Sequence, residues 1–206
     1  MPATVPQTGG GALTQAILAQ IQQISQFGNG GSLTGGGGDI YDLIVPAGQS
    51  PGATGADNVL AVFSLPANSF DVAGRVLNIE ALGTFANNTN SKRVKVIFNP
   101  ATAVVGSTVG TGGTTIVDTG AWTTTGLTGF NVQAQVTKYG LPNSNTQLAT
   151  PIGVVLGMTP GGIGSGSAIN LVTAVENAPI LIAVTGNAAT AATDILLYQV
   201  QINVFN

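Results

Sequence analysis

The sequence predicts an all-β protein, an antiparallel β-sandwich preceded by an arm with one short amphipathic helix. Three observations carry that expectation. Past residue 38 the apolar residues recur mainly with period two, clusters of turn formers separate the apolar runs, and helical spacing occurs only before residue 38. The boundary divides the 206 residues into an arm, 1–38, and a body, 39–206. A body of roughly 160 residues can bury about two-thirds of its unfolded surface. It needs no disulfide framework, and without cysteine it can form none.

In the arm, Leu13, Ile17, Leu18, Ile21, Ile24 and Phe27 recur at separations of three, four and seven, with glutamines mostly between them. This is the pattern of an amphipathic helix, started by Thr14 or the Gly9-Gly10-Gly11 run and stopped by Gly28. A helix of about 14 residues with an uncharged polar face is marginal alone, so it is expected to dock. It packs on its own body, or on symmetry mates or a larger assembly. The tether Gly30-Gly31-Ser32-Leu33-Thr34-Gly35-Gly36-Gly37-Gly38 favours the second, because glycine-rich linkers free what they join.

Nine strands are expected in the body, at 39–45, 58–65, 75–85, 92–98, 114–119, 130–139, 147–156, 180–186 and 194–205. The last is the clearest: Leu196, Tyr198, Val200, Ile202 and Val204 fall on one face, and Leu197, Gln199, Gln201 and Asn203 on the other. Phe130, Val132, Ala134 and Val136 likewise alternate with Asn131, Gln133, Gln135 and Thr137. Turn formers lie between the strands, at Pro66-Ala67-Asn68, 86–90, 110–113 and 161–164. Short strands at regular spacing, with no βαβ alternation, indicate a sandwich, and for eight principal strands a jelly roll is the first choice.

Composition removes most enzyme chemistry. There are five Lys and Arg, eight Asp and Glu, no His and no Cys, so 6% of the chain is charged against about a quarter in ordinary domains. Without histidine or cysteine, the usual nucleophilic triads are excluded. Ser91 and Lys92 are neighbours and would point to opposite faces of a strand. Glu80, Asp118, Glu176 and Asp194 show no spacing that singles out a glycosidase pair, and structural charge is the better reading of each. The run 161–166 does not open a helix in a βαβ unit and 110–113 lacks a P-loop ending, so both read as loops. No catalytic residue, cofactor or metal site is expected; calcium stays open without support, because the eight carboxylates are scattered and no oxygen-rich loop has an EF-hand pattern.

Lys92, Arg93 and Lys95 hold three of the five cations. They read as solvated charges that discourage strand pairing, or as candidates for salt bridges to an acidic partner. The sequence pI near 4.4 argues against a nucleic-acid partner. The mean hydropathy of +0.39 comes from scattered Ala, Val, Leu and Ile with no run of about 18 apolar residues, so no membrane partner is expected either. The first 15 residues carry no Lys or Arg, unlike a signal peptide. A net charge of −3 on a surface of Thr, Ser, Asn, Gln and Gly gives little self-repulsion, and a homotrimer is expected.

Three stretches, ADNVLAVFSLPANSF (56–70), GRVLNIEALGTFANN (74–88) and SKRVKVIFN (91–99), resemble a module of virion proteins of tailed bacteriophages. There an LPAN turn, a G-x-x-L-x-I-x-A-x-G-T-F-A-x-N strand and a K-x-V-K-V-x-F strand begin a jelly-roll-like sandwich. Trp122 sits where such proteins often carry an aromatic. The resemblance covers residues 56 to 137.

The resemblance implies either a capsid decoration or cement protein or a tail-fibre or receptor-binding tip. A short arm and glycine tether suit a knob anchored on a shell, so the expected partner is the major capsid protein and the expected location the capsid exterior, after synthesis in the host cytoplasm. The arm residues Leu13, Ile17, Leu18, Ile21, Ile24 and Phe27 are then expected to bind that shell or neighbouring protomers. A glycan-binding tip would display aromatics, which make up 5% of the chain; Trp122, Tyr41 and Tyr139 read instead as core or interface aromatics. A soluble trimer of the complement or tumour-necrosis-factor kind shares the low charge but not the strand motifs.

Overall fold

The structure is a computed structural model that describes residues 38–126, 128–157, 162–163 and 169–205. The predicted arm helix, with its stripe from Leu13 to Phe27, lies outside the described residues. So does most of the glycine-rich run 161–166.

The described chain is built of strands: β1 (Gly38–Gln49), β2 (Asn58–Leu65), β3 (Val76–Phe85), β4 (Lys92–Phe98), β5 (Thr114–Asp118), β6 (Gly129–Lys138), β7 (Gln147–Gly157), β8 (Gly162–Ile163), β9 (Asn170–Val172), β10 (Ile180–Ala188) and β11 (Ile195–Phe205). A single 3₁₀ turn, Ala192–Asp194, precedes the last strand. One sheet has the order β1-β11-β3-β6-β7-β8, with β9 also on β7, and the second has the order β2-β10-β4-β5. All pairings between these strands are antiparallel. The chain passes between the sheets at most connections, as a sandwich requires when each sheet must bury one face.

Period two decides which side chains are inside. Leu77, Ile79 and Ala81 of β3, Val132, Ala134 and Val136 of β6, and Val94, Val96 and Phe98 of β4 are all buried in one core. Phe85 and Phe130 close one end with ring centroids 4.9 Å apart, and Tyr41 meets Phe63 at 5.1 Å. Asn68 takes φ 61°, which explains an asparagine in the LPAN turn, since its short polar side chain tolerates the left-handed region. Its N–H donates to the Glu176 carbonyl at 2.7 Å, tying the turn to the opposite end of the chain.

The last strand departs from the simple alternation. Val200, Ile202 and Val204 are buried as expected, but so are Ile195 and Leu197, whereas Leu196 is only half-buried. A register shift between Leu197 and Gln199 against β3 is the cause, because an extra residue in one strand reverses the facing of everything before it. Two strands escaped the sequence reading. β8 and β9 are short, and they lie along β7 as its outer neighbours.

Candidate functional site

The three clustered cations do not share a face. Lys92, Val94, Val96 and Phe98 point inward, while Arg93 and Lys95 point outward. Lys92 is therefore buried, not the solvated charge its composition suggests, and its Nζ donates to the carbonyls of Asn88 at 2.8 Å and Asn90 at 2.7 Å. Burial lowers its pKa, opposed by the charge of Asp194. The side-chain amides of Asn88 and Asn90 donate to the two oxygens of Asp194 at 2.7 and 2.9 Å, and the Ala191 N–H adds a third bond. Burial alone would raise the Asp194 carboxyl, but these donors and Lys92 outweigh it and hold it below the usual carboxylate range.

Arg93 grips Asp118 with a fork: Nε donates to Oδ1 at 2.8 Å and Nη2 to Oδ2. Burial acts to raise the Asp118 pKa, yet the Arg93 bonds, the Gly120 N–H and the charges of Arg93 and Lys95 depress it overall. Lys95 pairs with Asp57. The other two cations, like Lys92, are buried. Arg75 is buried and its Nη1 donates to the Ser69 carbonyl, and Lys138 pairs with Glu176 at 2.7 Å. All five Lys and Arg side chains of the chain thus have partners within it, Lys92 wholly inside, while Arg93 stays 37% exposed beside Asp118.

The carboxylates considered for glycoside hydrolysis are similarly taken. Asp118 and Asp194 serve the clusters just described, Glu176 serves Lys138, and Oε1 of Glu80 accepts from Asn131 at 2.7 Å and Gln133 at 2.9 Å. Among the described residues no group of three His, Cys, Asp or Glu could hold a metal ion. Of the aromatics, Trp122 packs against the core and donates its indole N–H to the Thr119 carbonyl at 2.6 Å. Tyr139 is not a core residue; it is 54% exposed.

The outer face of the larger sheet offers a broad polar surface. Across its middle, Asn78, Glu80, Asn131, Gln133, Gln135, Gln199, Gln201 and Asn203 form a carpet of amides with one carboxylate, partly satisfied by cross-strand bonds such as Gln135 to Asn78 at 3.0 Å. Asn78, Glu80, Gln133, Ile152 and Asn203 line a depression in it. At one end the carpet gives way to an apolar row. Phe205 pairs with Val76, Val76 with Thr137, Thr137 with Leu148, and Leu148 with Leu171, so the five side chains stand side by side across β11, β3, β6, β7 and β9. Leu171 is 74% exposed, and Ile169 and Val175, just before and after β9, are exposed as well.

Sequence reading missed this row because no single strand shows it; only the register assembles it. It also missed the Lys138–Glu176 pair, though the signal was present: Lys138 continues the inward series Phe130, Val132, Ala134, Val136.

No protein-family model matches the chain, and no curated protein matches it. Among solved structures it is similar to the CBM2 module of the evolved Dit of Lactobacillus casei BL23 phage J-1, with a TM-score of 0.37 and 10% identity, over 81% of this chain and 95% of that one. A likeness of that degree carries no argument about role.

Proposed function

We propose that this chain is a non-enzymatic structural protein of a tailed-phage virion, a jelly-roll decoration protein that cements the outside of the capsid shell. The strand orders β1-β11-β3-β6 and β2-β10-β4-β5 support the jelly-roll wiring, with β7, β8 and β9 added beyond β6. The motifs at 56–99 support the virion assignment by resemblance. The observation that carries the mechanism is the internal occupation of all five cations. A surface whose few cations are paired with carboxylates of the same chain binds chiefly through amides and apolar side chains, and a protein that binds only the assembled shell stabilises it by mass action. The test is addition of the purified protein to undecorated heads, with binding and the temperature of shell disruption as readouts.

The second reading is a tail-fibre or receptor-binding tip. The depression lined by Asn78, Glu80, Gln133, Ile152 and Asn203 favours it, because amides and a carboxylate beside an apolar side chain suit hydroxyl-rich glycans. Saturable binding to host cells without binding to heads would select it.

A further inference from the structure

We infer that the apolar row Phe205–Val76–Thr137–Leu148–Leu171 is the seat for the N-terminal arm, residues 13–27, of a second copy of this chain. The row lies at one end of a sheet face whose middle is mostly amides. It carries no charge, crosses five strands, and ends on Leu171 and Ile169, which are 74% and 64% exposed. Four apolar side chains and one threonine, half-buried in the middle and exposed at Phe205 and Leu171, make a surface of the kind that marks an interaction site.

Three features point to the arm as occupant. The first is chemistry: Leu13, Ile17, Leu18, Ile21, Ile24 and Phe27 offer an apolar stripe among glutamines, with no charge to desolvate on either side. The second is size. Four strand spacings of about 4.8 Å make the row roughly 19 Å long, and 15 residues coiled as their spacing predicts measure about 22 Å. The third is position. The chain enters β1 at Gly38, which pairs with Val204, so the arm joins the body at the same end of the sheet as the row.

The tether points to a second copy. Stepping from β1 to the row on the same chain spans about one strand spacing, roughly 5 Å, which two or three residues cover. Residues 28–37 supply ten, most of them glycine, with a root-mean-square reach of about 17 Å and an extended reach of about 33 Å. That length suits a crossing to a neighbour, and exchange around a closed ring would cover every stripe and every row. The inference rests on the self-association expected of this chain, but its test reads contact between copies and needs no capsid.

The chain has no cysteine, so introduced thiols report alone. Differently tagged Ile21→Cys and Leu171→Cys chains, co-expressed and oxidised, should give a mixed disulfide-linked pair at twice the 20.4 kDa chain mass. Ile21→Cys with Thr124→Cys, whose neighbour Gly126 bonds Asn87 at the far end of the sheet, should not. Leu171→Asp, at a position exposed enough to leave the fold intact, should lower the assembled mass. Equal cross-linking to Thr124→Cys, no mixed pair, or closure only within chains carrying both Ile21→Cys and Leu171→Cys would overturn the inference, as would an unchanged mass for Leu171→Asp.

Discussion

Lys138 and Glu176 meet at 2.7 Å with neither side chain reaching solvent. Ser144 Oγ at 2.7 Å and Thr146 Oγ1 at 3.3 Å accept the remaining Lys138 protons, and the Gln147 amide donates to the same Glu176 oxygen. Gln147 in turn holds the Ala174 backbone N–H and carbonyl, so the pair and Gln147 together anchor the segment after β9 to β6 and β7. Removing one member leaves a buried charge without its counterpart. Lys138→Met should cost about 3–5 kcal/mol in urea unfolding, and the double change Lys138→Met with Glu176→Leu markedly less than the sum of the two single changes. Additive losses would show that the two charges do not act as a unit.

The Asp194 cluster gives the chain an acid limb. Its folded pKa lies below the unfolded value, so the stabilisation is fully present above the unfolded pKa, near 4, and drains away as pH falls through the folded one. Asp194→Asn should therefore destabilise the protein by about 1–3 kcal/mol at neutral pH, with the gap from the parent narrowing as pH falls below the unfolded carboxylate pKa and through the depressed folded one. Thermal unfolding of both proteins across that range checks it. A gap that stays constant with pH would assign the loss to shape instead of charge.

Gly83 belongs to the GTF part of the motif strand and explains why glycine stands there. A Cβ at this position would lie 2.3 Å from both the Leu196 carbonyl oxygen and the Phe130 ring. Neither backbone nor a buried ring packed at a tilt against Phe85 can give way cheaply. Gly83→Ala should cost about 1–3 kcal/mol or more, read as a lower urea midpoint. A neutral result would mean the strand shifts as a body.

Much of the fold was legible because alternation is local: β2 and β4 coincide with the predicted 58–65 and 92–98. The reversed facing of Leu196 and Leu197 was not, since a bulge at one residue is fixed by the partner strand and leaves no local mark. Charge was read less well. Lys92 looks like its neighbours in sequence, and only the carbonyls of Asn88 and Asn90, turned inward by the preceding loop, make a buried ammonium tolerable there. The apolar row needed five strands in register before Leu171 and Phe205, 34 positions apart in numbering from 171 to 205, could be seen as one surface.

The most direct measurement is the thermal disruption of undecorated heads titrated with this protein at two ionic strengths. With every cation bonded inside the chain, the disruption temperature should rise with protein concentration, and equally at low salt and at about 0.15 M, where exposed charges are screened beyond about 8 Å. A disruption temperature that does not move, or a rise that salt abolishes, would contradict a cement acting through uncharged surface.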